Sequence, residues 1–356
     1  MKKKILMITL SNHTSFQDGV FSMYENLKRR YEVSTLTIAE SSYPVSRDKN
    51  NYFVDAPLRP GITKGTFNFK KIHRMMKIIR KADFDTVYFE SFHIWNYPII
   101  VYLKMHGIKY SHAINDVIPH EGDPHAKING MINRLTAKLA NRIILRSSDG
   151  LNNAEKRYPQ YKDKLHKVDL WYSFPPYCDP KGGCVLFFGR MNRYKGIDYL
   201  LELVKRTPDI QYVIAGKADD SVGNTVEELR KMPNVKLDEG VIPYSKMHDY
   251  FYNAVCTILP YETATQSGVV LDAYKHSRPA VAFAVGALGE QIEDGVTGYL
   301  ANPGDVEQLE TQLRKIIDMP KKQYEQMCRK SYQKGLNEYS AKSKEGEFLS
   351  AIGVEE

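Results

Sequence analysis

The chain has 356 residues, which suits two domains of ordinary size. With 42% hydrophobic and 26% charged residues it falls outside the disordered, collagen-like and coiled-coil classes. No run approaches the ~18 apolar residues of a membrane span. Its net charge of +8 is uneven: residues 1–170 carry 28 basic against 16 acidic side chains, and the remainder 22 against 26. A basic half joined to a mildly acidic half implies different partners for the two.

In chain order, the basic start is followed by a short apolar run, Ile5–Leu10. That is brief for a signal-peptide core and is expected to be a buried first strand. Further strands are expected at 31–38, 85–91 and 109–116, with helices near 19–30, 70–82, 97–106 and 127–147. A stretch with three prolines and two glycines, residues 173–183, reads as a linker. Strands then recur at 182–189, 210–216, 234–240, 254–260 and 278–284. Helices are expected near 195–206, 223–231, 245–254, 268–276 and 305–317. Such alternation predicts two doubly wound parallel sheets. The expected boundaries are 1–172, a linker at 173–183, 184–335, and a C-terminal helix at 336–356 packing back on the first domain. Cys178, Cys184, Cys256 and Cys328 form no CxxC pair, which fits a reduced, cytoplasmic protein without structural zinc.

Ligands of doubly wound sheets sit beyond the carboxyl ends of the strands, and two such domains make the cleft between them the natural site. The segment FFGRMNRYKG, 187–196, ends a strand at Gly189 and places Arg190 and Lys195 at such an end. A guanidinium fork and a mobile ammonium suit phosphate oxygens; a solvated basic loop is the plainer alternative. The segment PYETATQSGVVLDAYKHSRP, 260–279, leads from a strand to a helix beginning near Ser267. Backbone N–H groups at a helix start attract anions, and Gly268 permits close approach. Asp272 shares a face with Gly268 and is placed to accept from a ribose diol. An ordinary Ser cap and a surface Asp explain the same residues.

Taken with RPAVAFAVGALGEQIEDGVTGYLANPGD, 278–305, these motifs resemble the donor half of retaining GT-B glycosyltransferases of family 4 (group 1), over residues 184–315. The resemblance implies two Rossmann-like domains, the first for the acceptor and the second for a nucleotide-sugar donor. It makes Arg190 and Lys195 the diphosphate-holding pair and Asp272 the second acid of the family's glutamate–seven residues–glutamate motif. The first acid is replaced by Ala264, with Glu262 two residues away. Gly189, Gln266, Ser267 and Gly268 would contact the donor. Gly19 would lie in a glycine turn against the diphosphate, and Asp116 and His120 at the catalytic site of the acceptor domain. The resemblance further implies a metal-independent hexosyl transfer from UDP- or GDP-sugar to a glycan or lipid-linked hydroxyl, in cell-surface polysaccharide synthesis, with no cofactor.

His112, His120 and His125 with Asp116 have no further ligand spacing to favour a metal. Asp83-Phe84-Asp85 imitates a metal-binding DxD but precedes a strand, at the end away from ligands. No GxGxxG or P-loop occurs, and no nucleic-acid-binding signature accompanies the positive charge. Six Lys/Arg fall in the twelve residues from Lys70, with Lys70, Arg74, Lys77 and Lys81 on one helical stripe. That stripe is either a solvated face or a contact with an anionic membrane surface, which would make the protein peripheral on the inner face. The alternatives for function are a GT-B sugar-nucleotide epimerase or hydrolase, and an inactive sugar-nucleotide binder.

Overall fold

In the strand KILMIT successive side chains point to opposite faces, and both faces are buried. Leu6 and Ile8 join one apolar cluster, Ile5 and Met7 another. Near-continuous apolar strands of this kind belong to parallel sheets covered on both sides. The computed structural model describes residues 3–41, 43–45, 48–58, 60–118 and 126–354. They form two units. The first holds the described residues up to 118, then 126–173 and 340–354; the second holds 174–339.

The first unit is a seven-stranded parallel sheet of β1 (Lys4–Thr9), β2 (Glu32–Ile38), β3 (Asn51–Val54), β4 (Thr86–Phe89), β5 (Lys109–Ile114), β6 (Arg142–Leu145) and β7 (Leu165–Lys167). Their order is β3-β2-β1-β4-β5-β6-β7. Its helices are α1 (Thr14–Leu27), α2 (Phe69–Lys81), α3 (Asn96–Met105), α4 (Ala126–Leu139) and α5 (Ser148–Arg157). Two expectations are corrected. The helix expected to 147 stops at Leu139, and RIIL becomes β6, paired with β5 and buried at Ile143, Ile144 and Leu145. The helix expected from residue 19 begins at Thr14, because TSFQ holds no helix breaker.

The second unit is a six-stranded parallel sheet of β8 (Cys184–Phe188), β9 (Tyr212–Gly216), β10 (Val235–Glu239), β11 (Ala254–Leu259), β12 (Ala280–Phe283) and β13 (Gly298–Ala301). The order is β10-β9-β8-β11-β12-β13. Around it lie α6 (Ile197–Arg206), α7 (Gly223–Lys231), α8 (Tyr244–Tyr252), α9 (Gly268–Lys275), α10 (Leu288–Gln291), α11 (Val306–Ile317) and α12 (Lys321–Tyr339). Residues 174–183 are pinned to α12: Tyr332 Oη donates to the Pro175 carbonyl at 2.8 Å, and Arg329 covers the Tyr177 ring at 4.6 Å.

After Tyr339 the chain returns to the first unit, where Ser340 bridges Tyr172 and α13 (Glu345–Ala351) follows. Phe348, Leu349, Ile352 and Val354 then pack with Val20, Met23 and Tyr24 of α1. Among the described residues no helix is long and apolar enough to cross a membrane.

Candidate active site

In an open α/β sheet the binding crevice forms where the strand order reverses, beyond the carboxyl ends of the two central strands. In the second sheet those strands are β8 and β11. The loops that follow them are 189–196 and 260–267, the two segments singled out in the sequence.

Each loop is rooted in the core by its own apolar residues. Met191 in one, and Tyr261 and Ala264 in the other, are buried in the main cluster of the second unit. Gly189 turns out of β8 at φ +115° and donates to the Ala215 carbonyl at 2.9 Å. Met191 then donates to Lys217 O and accepts from the Asp219 N–H, each at 2.9 Å, so the basic loop runs alongside the end of β9. Asn192 accepts from the Lys195 N–H at 3.2 Å and holds a single helical turn. Gly196 closes that turn at φ +67°, and a Cβ there would lie 1.7 Å from the Pro260 carbonyl oxygen. Only glycine lets the first loop approach the end of β11 so closely.

That approach joins the loops. The Glu262 N–H donates to Tyr194 O at 2.8 Å. Lys195 Nζ donates to Tyr261 Oη at 2.9 Å and lies 4.2 Å from that ring's centroid. Burial pushes the Tyr261 hydroxyl above the usual tyrosine range, so it remains a neutral partner for the ammonium. Arg190 is exposed at the mouth. The Asp219 carboxyl is held below its usual range first by the N–H and hydroxyl of Ser221, then by the charges of Arg190 and Lys217.

Helix α9 opens at Gly268 behind Ser267. The Ser267 backbone is clamped by Gln291, whose Oε1 accepts its N–H at 3.0 Å and whose Nε2 donates to its carbonyl at 3.1 Å. The Ser267 N–H is therefore committed within the protein rather than open at the helix start. Gln266 sits half-buried just before Ser267, and Asp272, 7% exposed, lies one turn into the helix. Ala264 is packed in the core, and its carbonyl accepts from the Ala287 N–H at 2.9 Å. Glu262 is exposed. Tyr261 and Gln291, which position these loops, are absent from the sequence-based set; only the place of Tyr261 just past a strand end pointed toward it.

The first unit departs further from expectation. Gly19 is not in a turn: it lies inside α1, buried, and its carbonyl accepts from Trp171 Nε1 at 2.7 Å and from Ser22 Oγ at 3.2 Å. The β1–α1 connection is made by Leu10–His13 instead. Asp18 is anchored too, its Oδ1 accepting from the Ser173 N–H at 2.8 Å. Asp116 is exposed just beyond β5, and its carbonyl accepts from Asn133 Nδ2 at 2.6 Å. His120 and His125 lie outside the described residues. His112 is buried against Phe89. Asp85 accepts from the Lys4 N–H at 2.9 Å and Asp83 pairs with the Lys4 ammonium, so the DxD look-alike fastens the amino end of the sheet.

The first unit also buries a polar cluster past the carboxyl end of β4. Glu90 and Arg146 form an ion pair at 2.7 Å with both side chains 1% exposed. Tyr88 Oη donates to Glu90 at 2.6 Å, and the Arg146 guanidinium lies 4.3 Å from the Trp171 ring centroid.

Two parallel-sheet units, one of which delivers a basic loop and a helix start to a single switch point, define the GT-B class of glycosyltransferase fold. Residues 182–319 match the profile of the group 1 glycosyltransferases. Over 146 residues it is 28% identical to the sulfoquinovosyl transferase of Arabidopsis thaliana, covering 39% of this chain and 27% of that protein. Over 278 residues it is 23% identical to the alpha-maltose-1-phosphate synthase of Mycolicibacterium smegmatis, covering 68% and 71%. The Anabaena protein HepE, solved in complex with UDP and glucose, shares the fold over 99% of both chains, with TM-score 0.73 and 13% identity.

Proposed function

We propose that the chain transfers a hexosyl group from UDP- or GDP-sugar to a hydroxyl of a glycan or lipid-linked acceptor, with retention of configuration. The observation that carries this reading is the union of the two loops at the β8/β11 switch point, where Lys195 stands beside Tyr261 next to the start of α9. As the anomeric C–O bond breaks, its electron pair passes to the departing diphosphate. Arg190, Lys195 and the first turn of α9 stabilise that charge, the task a metal ion performs in other transferases. Asp272 accepts from the ribose hydroxyls. The acceptor oxygen attacks on the face the diphosphate is leaving, and its proton passes to a phosphate oxygen. Asp116 and His120 serve the acceptor side.

A lipid-linked acceptor in cell-surface polysaccharide synthesis, met at the inner face of a membrane, is favoured by α2. Its Lys70, Arg74, Lys77 and Lys81 are all exposed while Met75, Met76 and Ile79 are buried, and Phe67 and Phe69 just before and at its start are 76% and 75% exposed.

Thermal-shift screening against UDP- and GDP-sugars, followed by NMR of the products, tests the reading. A stabilising nucleotide-sugar and a glycoside of unchanged anomeric configuration are expected. Release of free sugar in place of a glycoside would make the protein a hydrolase, an isomerised donor would make it an epimerase, and binding without turnover an inactive receptor. Stabilisation by no nucleotide-sugar would overturn the donor site.

A further inference from the structure

A cavity of about 370 Å³ opens at the amino ends of β4, β5 and β6 in the first unit. This is the end of the sheet opposite the strand-to-helix loops where ligands of such folds gather. Its volume lies near the lower end of the ~300–1,000 Å³ of small-molecule sites.

Three cations line it: Lys3 and Lys109, both exposed, and the half-buried Arg142. The sheet fixes two of them, since Lys109 and Arg142 begin the adjacent strands β5 and β6 and Arg142 pairs in register with Ser111, which also lines the cavity. Arg142 is held from one side, its Nη1 lying 3.2 Å from the Ser350 carbonyl and 3.1 Å from His166 Nε2. Its other edge runs along Gly353, where a Cβ would come within 3.1 Å of Nε. Lys3 Nζ reaches the Gly353 carbonyl at 3.3 Å. The acid among the described lining residues, Asp85, is engaged by the Lys4 N–H. Lys109, with Lys3 and Arg142 beside it, gives the cavity a lining with a net positive charge against one carboxylate, Asp85, which suits a tetrahedral dianion.

We propose that this cavity is a binding site for a phosphate group, borne by a small phosphorylated molecule or by a lipid headgroup. It is separate from the donor site, which belongs to the other unit. Because residues of the C-terminal return form its wall, the bound anion ties that return to β1 and β6.

The test uses the full chain with Arg190→Ala and Lys195→Ala, which silences the donor site. Inorganic phosphate is expected to raise the thermal unfolding midpoint above that in chloride of equal ionic strength, with calorimetry giving the affinity. Adding Lys109→Glu, at an exposed position, is expected to weaken binding about tenfold or more without lowering the phosphate-free midpoint. Arg142→Gln is expected to weaken it likewise. Vesicles of phosphatidylcholine with phosphatidic acid, offered to a variant with the α2 stripe reversed, separate the sources. Binding lost with Lys109→Glu assigns a headgroup, and the absence of vesicle binding beside retained phosphate binding assigns a soluble ligand. Phosphate acting no better than chloride, or phosphate affinity untouched by both Lys109→Glu and Arg142→Gln, overturns the proposal.

Discussion

The ammonium of Lys195 lies 2.9 Å from the hydroxyl of Tyr261, and the two residues are 66 positions apart. One follows β8 and the other β11, so this contact joins the two loops of the proposed donor site. Tyr261 is buried and Lys195 half-buried, which makes the tyrosine the fixed member and the lysine the one it aims. Removing Lys195 by Lys195→Ala is expected to reduce turnover by ~10²–10³, with an unchanged melting profile. Tyr261→Phe keeps the ring and removes the hydrogen bond, so a smaller loss in the same direction is expected. Steady-state kinetics of both variants check this, and equal turnover in Lys195→Ala and the parent would refute the role.

At Asp272 and Ala264 the two motif positions are expected to separate into binding and packing. Asp272→Ala is expected to weaken UDP or GDP binding measured by calorimetry while folding is kept. Ala264→Glu puts a carboxylate into the apolar core of the second unit. It is expected to lower stability by a few kcal/mol, the usual scale for an unpaired buried polar group, and to restore no activity. Chemical denaturation decides, and an undiminished midpoint for Ala264→Glu would show that the site opens to solvent.

Acid should destabilise the second unit through His276. The ring is 5% exposed, stacks on Phe251 at 5.3 Å and holds Nδ1 2.6 Å from the Asp272 carbonyl. Burial pushes its pKa from 6.5 down to about 3. Below pH 6.5 the unfolded chain gains a proton that the folded chain refuses, so this contribution is complete above pH 6.5 and is lost progressively toward pH 3. The slope from this group is at most ~1.4 kcal/mol per pH unit. Urea unfolding of the parent and of His276→Gln between pH 7.5 and 4.5 is expected to show a flatter pH dependence in the variant.

For the α2 surface, reversing Lys70, Arg74, Lys77 and Lys81 together is expected to abolish sedimentation with anionic vesicles, at ~1 kcal/mol per basic residue near the surface. Phe67→Ser with Phe69→Ser is expected to leave a weaker binding that salt removes. Retained binding by the charge-reversed protein would make the stripe a solvated face.

Much of the fold could be read from hydrophobic pattern alone, and what escaped has identifiable causes. RIIL at 142–145 is four residues long and abuts an amphipathic helix, so its apolar residues extend the helical period as well as they begin a strand. GYLA at 298–301 and NYFV at 51–54 are short and offer no alternation of useful length. Gly19 looked like a turn because glycine disfavours helix interiors, yet it lies inside α1, where a Cβ would meet the Trp171 carbonyl at an ordinary 3.6 Å, so neither packing nor backbone conformation demands glycine. In the proposed donor site the chemistry-bearing loops were visible because they follow strands directly. Their clasps, Tyr261 on Lys195 and Gln291 on Ser267, were not, since contacts between distant positions leave no local period.

The return of the chain after Tyr339 bears on how the protein is made. The second unit has every strand in hand once residue 301 is synthesised, and its helices by residue 339. The first lacks Phe348, Leu349, Ile352 and Val354 until the ribosome has passed them, although its strands were completed long before. The later-encoded unit thus has all its elements first, while the earlier one, its α1 already resting on β1 and β2, gains the last cover of that helix only at the end of the chain.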